Sequence, residues 1–414
     1  MSLKKKLFGG LRERLFGGLS KNVIVLGLVS MLTDISSEMI FPLLPLFLVD
    51  IMGASAAVVG LIEGVAEGTA DAMKLVFGWY SDKIGKRRPF VFGGYGLSTI
   101  TKPLFALATS WQQVFGIRMA DRIGKGMRVS ARDVMVVTST PAELRGKAFG
   151  FRKMMDSLGA VIGPLIAIAL LPLFISATDP SAAYRDIFWL SVIPAFLAVV
   201  LIFFVKEKEV QNNGNGNNNH YSYRGSISHL GPNYKRLLIA SLLLALSNFS
   251  VAFFILRAYD MGYGIEKAPM LYVVFNLTYA LLAMPSGEIS DKIGRKPVLL
   301  FGHVLFGAVC LGFAFVTPGP AVWILFALYG FFLAIRETLQ RAFISDIIEE
   351  EGLLGTAFGT LQGAIGLAAI PASIIAGLLW DVYGSQATFF FGAGVAFLSA
   401  ILLALWVKEK RKGP

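Results

Sequence analysis

The chain has 414 residues, of which 55% are hydrophobic, and its mean hydropathy of +0.65 exceeds what the core of a soluble protein requires. The net charge of +11 is explained by loop cations that orient a membrane protein, so no nucleic-acid partner is expected. The single cysteine excludes an intramolecular disulfide framework, and three histidines with one cysteine provide no ligand cluster, so neither a metal site nor a cofactor is expected.

Twelve apolar segments are long enough to cross a bilayer, because a helix of about 20 residues spans its hydrocarbon core. We number them span 1 to span 12 in chain order. They are residues 22–49, 55–80, 89–109, 112–138, 147–174, 187–205, 235–261, 268–289, 298–316, 321–345, 356–380 and 386–407. The pattern predicts an all-α integral membrane protein with twelve transmembrane helices.

Charged and polar segments divide the chain around these spans. Residues 1–21 form a basic segment, 206–234 an asparagine-rich linker, and 408–414 a basic tail. The linker separates an N-terminal six-helix half, 22–205, from a C-terminal half, 235–407. Lysine and arginine concentrate on one side of the spans, which predicts a multi-pass protein of the cytoplasmic membrane with both termini in the cytoplasm. We expect a monomer surrounded by membrane lipid.

Acidic side chains inside the first spans are candidates for carrying protons. Asp34 and Glu38 lie one turn apart on span 1. Two ionised carboxylates at that spacing repel each other, so one is expected to hold a proton near neutral pH. Glu63 and Glu67 on span 2 and Asp156 on span 5 are the next candidates. The alternative is mutual neutralisation, in which these acids face the cations of span 4.

A short charged hairpin joins spans 2 and 3, and it recurs 209 residues later between spans 8 and 9. Both copies follow the pattern G-x-x-x-D-x-x-G-(K/R)-(K/R). The residues are Gly78, Asp82, Gly85, Lys86 and Arg87 in the first copy, and Gly287, Asp291, Gly294, Arg295 and Lys296 in the second. A repeat at a fixed distance predicts a duplicated membrane domain with two pseudo-symmetric halves.

Span 4 carries several basic residues, and two of them are candidate substrate contacts. Guanidinium groups present a fixed fork to carboxylate or phosphate oxygens, so Arg118 or Arg122 exposed to a cavity would favour an organic anion. The alternative is that Asp121 or the acids of span 2 hold both arginines. Lys102, near the end of span 3, is expected to extend outward along the helix.

The second half has fewer interior polar residues. Asn248 on span 7 and Arg336 on span 10 are the further candidates for binding substrate. Arg336 and Glu337 are neighbours in the sequence and project about 100° apart on a helix, so they need not pair.

The twelve spans, the central linker and the doubled hairpin resemble the major facilitator superfamily of transporters from Val23 to Val407. Two segments further resemble its drug:proton antiporter branch. One is the Phe-Pro-Leu-Leu-Pro stretch at 41–45, at the end of span 1. The other is a span 5 motif formed by Gly150, Gly159, Gly163 and Pro164, although the usual terminal glycine pair is replaced by Ala167 and Ile168.

The resemblance implies that spans 1, 4, 7 and 10 surround a cavity that the two halves expose alternately. It also implies that the two hairpins, together with Asp133 of span 4, hold the cytoplasmic gate. Asp82 and Asp291 are each expected to lie at the start of a helix from the opposite half, because the positive end of a helix favours an anion.

We therefore expect a secondary active transporter that moves a small organic solute, with proton-coupled export as the first interpretation. An organic-anion uptake symporter or uniporter is the alternative within transport. An integral membrane enzyme acting on lipids is the alternative from another class. It is disfavoured because the aspartate array that such enzymes use to bind two metals is missing. With no nucleophile triad or ATP-binding motif in the sequence, no enzymatic activity is expected.

Overall fold

The computed structural model describes residues 17–141, 144–175, 179, 181–207, 230–348 and 351–409, except for the side chains of residues 82, 351, 352 and 355. All regular secondary structure in these ranges is helical. Three predicted segments lie wholly or largely outside the described residues: the basic N-terminal segment up to residue 16, the linker from 208 to 229, and the tail from residue 410.

Helices occupy all twelve predicted spans, which confirms the predicted fold class. Nine spans are single helices, namely Ala56–Ile84, Arg88–Leu107, Trp111–Thr138, Arg145–Phe174, Gly264–Ile293, Arg295–Phe315, Pro320–Ile347, Glu351–Tyr383 and Ser385–Trp406. Spans 1, 6 and 7 are each broken into two helices. These are Lys21–Ile40 and Leu44–Asp50 in span 1, Ala182–Leu190 and Val192–Ile202 in span 6, and Gly231–Ser247 and Ala252–Ala258 in span 7. Span 7 ends in a single π-helical turn, Tyr259–Tyr263.

The breaks in spans 1 and 7 have local causes. Pro42 follows the first helix of span 1, and a proline lacks the backbone donor that would continue the helix. The backbone N–H of Phe41 still donates to the carbonyl of Ser37 at 2.9 Å. Span 7 stops at Asn248, whose φ of −92° and ψ of 68° are not helical. Both breaks place irregular backbone inside a membrane span, where its polar groups need partners within the protein.

Eight helices of the described part are long and apolar enough to cross a membrane, and one of them, Gly231–Ile293, contains both span 7 and span 8. Spans 2, 3 and 4 do not meet this criterion, because charged and polar side chains lower their hydropathy. These three spans therefore carry groups that lipid does not accommodate and that need partners within the protein.

The chain divides into two compact units. The first unit comprises Met1–Phe41, Met73–Ala108 and Gly116–Gly214, and the second comprises Pro42–Ala72, Thr109–Phe115 and Asn215–Pro414. In each unit, we call the side of the helices that carries its hairpin the motif side, and the opposite side the distal side. The distal parts of spans 1 and 2 thus belong to the second unit.

Small residues allow close helix crossings within each unit. In the first unit, Gly159 and Gly163 of span 5 lie against span 1, where a Cβ added at either glycine would come within 2.6 Å and 2.5 Å of the carbonyls of Met31 and Ile35. In the second unit, the glycines of span 2 at positions 60, 64 and 68 lie in the same way against span 11. These contacts hold the backbones close enough for polar side chains on adjoining helices to meet.

The two hairpins repeat in structure as well as in sequence. Gly85 and Gly294 both adopt a positive φ, of 73° and 104°, which other residues rarely tolerate. In the turn before each glycine a serine hydroxyl donates to a glycine carbonyl, Ser81 to Gly78 at 3.0 Å and Ser290 to Gly287 at 2.7 Å. The matching geometry confirms the duplication predicted from the pattern.

A second repeat was not predicted from the sequence. The segment Val-Lys-Glu occurs after span 6 and again after span 12, at 205–207 and 407–409. Glu207 accepts hydrogen bonds from the backbone N–H groups that open span 3, at Arg87 and Arg88, and Glu409 does the same for span 9 at Arg295 and Lys296. Each glutamate therefore caps the helix after a hairpin.

Candidate transport site in the first unit

Positively charged side chains are buried in the first unit. The exposed fractions are 2% for Lys102 and Arg118, 6% for Arg122, and 5% and 7% for two further arginines, Arg128 and Arg132. Among the described residues of this unit, Asp121 is the one carboxylate buried to the same degree, with 2% exposed. Charges at this depth are stable only when they have counter-charges, hydrogen bonds or a charged ligand.

Asp121 of span 4 lies at the centre of the cluster. One carboxylate oxygen, Oδ1, is 3.4 Å from Nζ of Lys102 and accepts a hydrogen bond of 3.5 Å from the hydroxyl of Thr101. The other, Oδ2, is 3.9 Å from Nη1 of Arg118 and 3.6 Å from Nε of Arg122. Three cations thus share one carboxylate, and we call these residues the Asp121 cluster.

The prediction that Lys102 extends outward was wrong. Its Nζ donates to the hydroxyl of Ser37 on span 1 at 3.1 Å and to Asp121 on span 4 at 3.4 Å. The sequence contains a signal for this position, because Tyr95, Ser98 and Lys102 lie at helical spacing on one face of span 3. In the structure, Tyr95 and Ser98 on that face also contact arginines of span 4. Lys102 therefore joins three spans at the Asp121 cluster.

Arg128 and Arg132 form a second group, nearer the motif side. The guanidinium of Arg128 lies over the ring of Tyr95, 4.9 Å from its centroid, and donates to the hydroxyl of Ser98. Arg132 donates to the hydroxyl of Ser30 at 2.7 Å and to the hydroxyl of Tyr95 at 3.3 Å. These contacts join spans 1, 3 and 4 through neutral partners.

A chain of alternating charges links span 4 to span 5. Asp133 lies 3.4 Å from Nε of Arg132 and 3.7 Å from Nε of Arg152, and Arg152 donates to Asp156 at 3.1 Å. The gating role of Asp133 stays a prediction, since the contacts described here are with the interior of the first unit.

The two span 1 acids lie at the crossing with span 5. The Cβ atoms of Asp34 and Glu38 face Gly159 and Gly163, respectively. Asp34 is half-buried and close enough to Glu38, Asp156, Lys125 and Arg128 for their charges to interact. The structure thus brings three of the five predicted proton carriers together. The other two, Glu63 and Glu67, belong to the second unit.

The substrate-binding candidates of the second half lie in a more apolar setting. Asn248 accepts a hydrogen bond of 3.2 Å from the hydroxyl of Tyr329, whose ring stacks on Phe254 at 4.3 Å. Arg336 pairs with its neighbour Glu337 at 2.8 Å, although the helical geometry does not require it. Both side chains bend toward each other because each is long enough to cover the angle between them.

The hairpin residues make local contacts. Asp291 pairs with Arg295 at 2.5 Å, and Arg295 also pairs with Asp346 at the end of span 10 at 3.3 Å. The side chain of Asp82 lies outside the described part of the chain. The placement of Asp82 and Asp291 against helices of the opposite half stays a prediction.

The sequence profile of the Major Facilitator Superfamily matches residues 26–275 and 237–414. The chain belongs to this superfamily. A major facilitator superfamily-type transporter of Methanocaldococcus jannaschii, itself uncharacterised, is 37% identical over 391 residues, covering 93% of this chain and 94% of the relative. The cis,cis-muconate transport protein of Acinetobacter baylyi is 25% identical over 351 residues, covering 81% of this chain and 82% of the relative.

Solved structures of transporters share this fold. The crystal structure of the nucleoside transporter NupG superposes with a TM-score of 0.78 at 13% identity, covering 94% of this chain and 100% of that chain. Since family and structural neighbours are transporters, this major facilitator protein is a multi-pass membrane transporter of a small solute and not an enzyme. The alternative of a lipid-modifying enzyme is thereby excluded.

Proposed function

We propose that this major facilitator protein transports a small organic anion together with protons. The observation that carries the proposal is the Asp121 cluster, in which three buried cations share one carboxylate. In this proposal a substrate carboxylate meets the guanidinium groups of Arg118 and Arg122, because a guanidinium presents a fixed fork of donors to a carboxylate.

The proton part of the proposal rests on the acids beside the cluster. Asp34 shares the interior of the first unit with Asp156 and Glu38. An anion that enters a poorly hydrated interior brings charge, and a proton taken up by a nearby carboxylate compensates for it. This reasoning favours co-transport of proton and anion over the antiport suggested by the span 1 and span 5 motifs.

One relative supports an anionic substrate. The Acinetobacter baylyi relative is a transport protein for cis,cis-muconate, which carries two carboxylates, and the similarity extends over 81% of this chain. The drug:proton antiporter interpretation is supported by the Phe-Pro-Leu-Leu-Pro stretch at 41–45 and by the incomplete span 5 motif. Two drug-resistance relatives also support it, the puromycin resistance protein pur8 of Streptomyces alboniger and the multidrug resistance protein MdtH of Aeromonas hydrophila, but their similarity extends over only 37% and 35% of this chain. We therefore favour a carboxylate over a cationic drug.

The proposal is tested with purified protein in liposomes that contain a pH-sensitive dye. Addition of cis,cis-muconate outside should acidify the interior, and its uncharged dimethyl ester should not. Alkalinisation would show antiport and contradict the co-transport direction. If cationic drugs move protons and none of a panel of mono- and dicarboxylates does, the anion assignment is wrong.

A further inference from the structure

Three polar side chains lie on one face of span 1, and the outer two have fixed partners. Ser30, Asp34 and Ser37 are spaced four and three residues apart, which places them on one side of the helix. Ser37 accepts a hydrogen bond of 3.1 Å from Lys102, and Ser30 accepts one of 2.7 Å from Arg132. Asp34 therefore lies at a level between these two cations.

Arg128 of span 4 occupies that level. Gly94 of span 3 allows the close approach that fixes its stem, because a Cβ added at Gly94 would lie 2.8 Å from the Cβ of Arg128. The guanidinium donates to the hydroxyl of Ser98 and lies over the ring of Tyr95. Both partners are neutral, and Arg128 makes no ion pair with a carboxylate in the described part of the chain.

Asp34 likewise makes no ion pair with any described residue. Its stem is fixed at the crossing with span 5, where a Cβ added at Gly159 would lie 2.8 Å from the Cβ of Asp34. The charged groups that interact with it come from span 5, from its own span and from span 4, and they are Asp156, Glu38, Lys125 and Arg128. Of the two cations, Arg128 is the more deeply buried. A buried guanidinium and a nearby carboxylate are stable apart when a proton neutralises the carboxylate and another anion accompanies the guanidinium.

We propose that ionised Asp34 pairs with Arg128, and that a substrate carboxylate takes the place of Asp34 at Arg128 when Asp34 takes up a proton. One carboxylate leaves the guanidinium as another arrives, so Arg128 has a counter-charge in both states. The proton on Asp34 matches the charge of the incoming anion, and the two therefore move together. This inference rests on the proposed function and assigns the coupling to an arginine that is not among the candidates named from the sequence.

The experiment measures the Kd of purified full-length protein for cis,cis-muconate by calorimetry from about pH 5.5 to about pH 8.5, above the range in which ordinary carboxylic acids titrate. Wild-type protein should bind more weakly as the pH rises, by up to about tenfold per pH unit, because binding takes up one proton. In Asp34→Asn the competing charge is absent. Its Kd should be independent of pH and should match that of wild type at the acidic end.

Arg128→Gln tests whether this arginine carries the coupling. Its Kd should rise about tenfold or more, the effect of one charge-assisted hydrogen bond, and should no longer depend on pH because Asp34 has nothing to release. The matched control is Arg132→Gln, which removes a buried arginine one turn away whose partner on span 1 is the neutral Ser30. The dependence of the Kd on pH should persist in this control. The thermal unfolding midpoint of each variant is measured beside its Kd.

Two results overturn the assignment. One is a wild-type dependence on pH that persists in Asp34→Asn, since another group then takes up the proton. The other is Arg128→Gln protein that folds and either binds like wild type or retains the dependence on pH. If Arg128→Gln does not fold, Arg128→Lys decides, because it keeps the charge and loses the fork of donors. Its Kd at the acidic end should rise by about threefold or more with the dependence on pH retained, and a wild-type Kd contradicts a substrate contact at Arg128.

The proposed function and this inference fail in different ways. Wild-type protein that binds neither muconate nor any other carboxylate of the panel contradicts anion transport. Wild-type protein that binds muconate equally at all pH values contradicts the proton part of the proposed function, and the Asp34–Arg128 pair falls with it. Binding that weakens with rising pH, with variants that do not follow the predicted pattern, leaves the proposed function standing and removes only this pair.

Discussion

Asp34 lies among several charged side chains at the crossing of spans 1 and 5. The charge of Asp34 interacts with Asp156, Lys125 and Arg128 in the interior of the first unit. Asp34→Asn should therefore abolish accumulation of muconate against its gradient while counterflow exchange persists, because exchange needs no net proton movement. Glu38→Gln should retain more accumulation. Both activities are measured in the same liposomes, and wild-type accumulation in both variants would make the span 1 acids structural.

At the residue scale, the sequence places the candidate residues on the correct helices but does not predict all of their side-chain contacts. The sequence makes Arg118 and Arg122 candidates for binding substrate, and their pairing with Asp121 is the alternative that it leaves open. The position of Lys102 was missed because its partners lie on two other spans, and pairing between helices depends on rotations that a single sequence does not specify. The Arg336–Glu337 pair was missed because long side chains override the helical angle.

The crossing of spans 1 and 5 carries the element-scale prediction. A Cβ at Gly163 would lie 2.5 Å from the Ile35 carbonyl and 2.9 Å from the Cβ of Glu38, so Gly163→Ala must push the helices apart. We expect a loss of about 1–3 kcal/mol in stability, typical of an overpacked interior, together with slower counterflow.

The matched control belongs to the same span 5 motif. A Cβ added at Gly150 has no neighbour within 4 Å, so Gly150→Ala should be neutral, or stabilising by about 0.5–1 kcal/mol because alanine favours helix. Thermal unfolding and counterflow are measured for both variants. Equal behaviour of the two would show that the crossing tolerates separation and that the motif has no packing role.

Asp381 is relevant at the scale of the whole molecule, because it joins segments from the two sequence halves within the second unit. Its carboxylate, at the distal end of span 11, accepts hydrogen bonds of 3.0 Å and 2.9 Å from the backbone N–H groups of Ala56 and Ala57, which open span 2. A carboxylate at a helix N-terminus is stabilised by hydrogen bonds and by the helix dipole. In an alternating-access cycle we expect this contact to form and break.

Asp381→Asn should weaken distal closure by about 1 kcal/mol, because the amide keeps the shape and loses the charge. The measurement uses Cys310→Ala protein with one new cysteine, Ser373→Cys, at the buried crossing of spans 2 and 11. Labelling by a membrane-impermeant maleimide should become about fivefold faster in the Asp381→Asn background. An unchanged labelling rate would mean that the contact does not contribute to closure.

The duplication of the molecule was predictable because the hairpin repeats at a fixed distance and its glycines need a positive φ. The apolar segments located all twelve helices, although charged side chains keep spans 2, 3 and 4 below the hydropathy of a typical membrane helix. The Glu207 and Glu409 caps are not predicted because residues 207 and 409 are 202 positions apart (409 − 207), which differs from the 209-residue repeat of the hairpins. The Asp381 contact is not predicted because it has no counterpart in the other half, where Pro172 lies 209 residues earlier. Contacts that break the symmetry leave no repeated pattern in the sequence.

The central claim is that anion and proton move together, and the accumulation of cis,cis-muconate in liposomes under an imposed pH difference tests it most directly. With the membrane potential clamped at zero, each co-transported proton contributes about 1.4 kcal/mol per pH unit, so the ratio of internal to external muconate should rise at least about tenfold per unit when the interior is more alkaline. A ratio that stays at one, or that rises when the pH difference is reversed, contradicts the account.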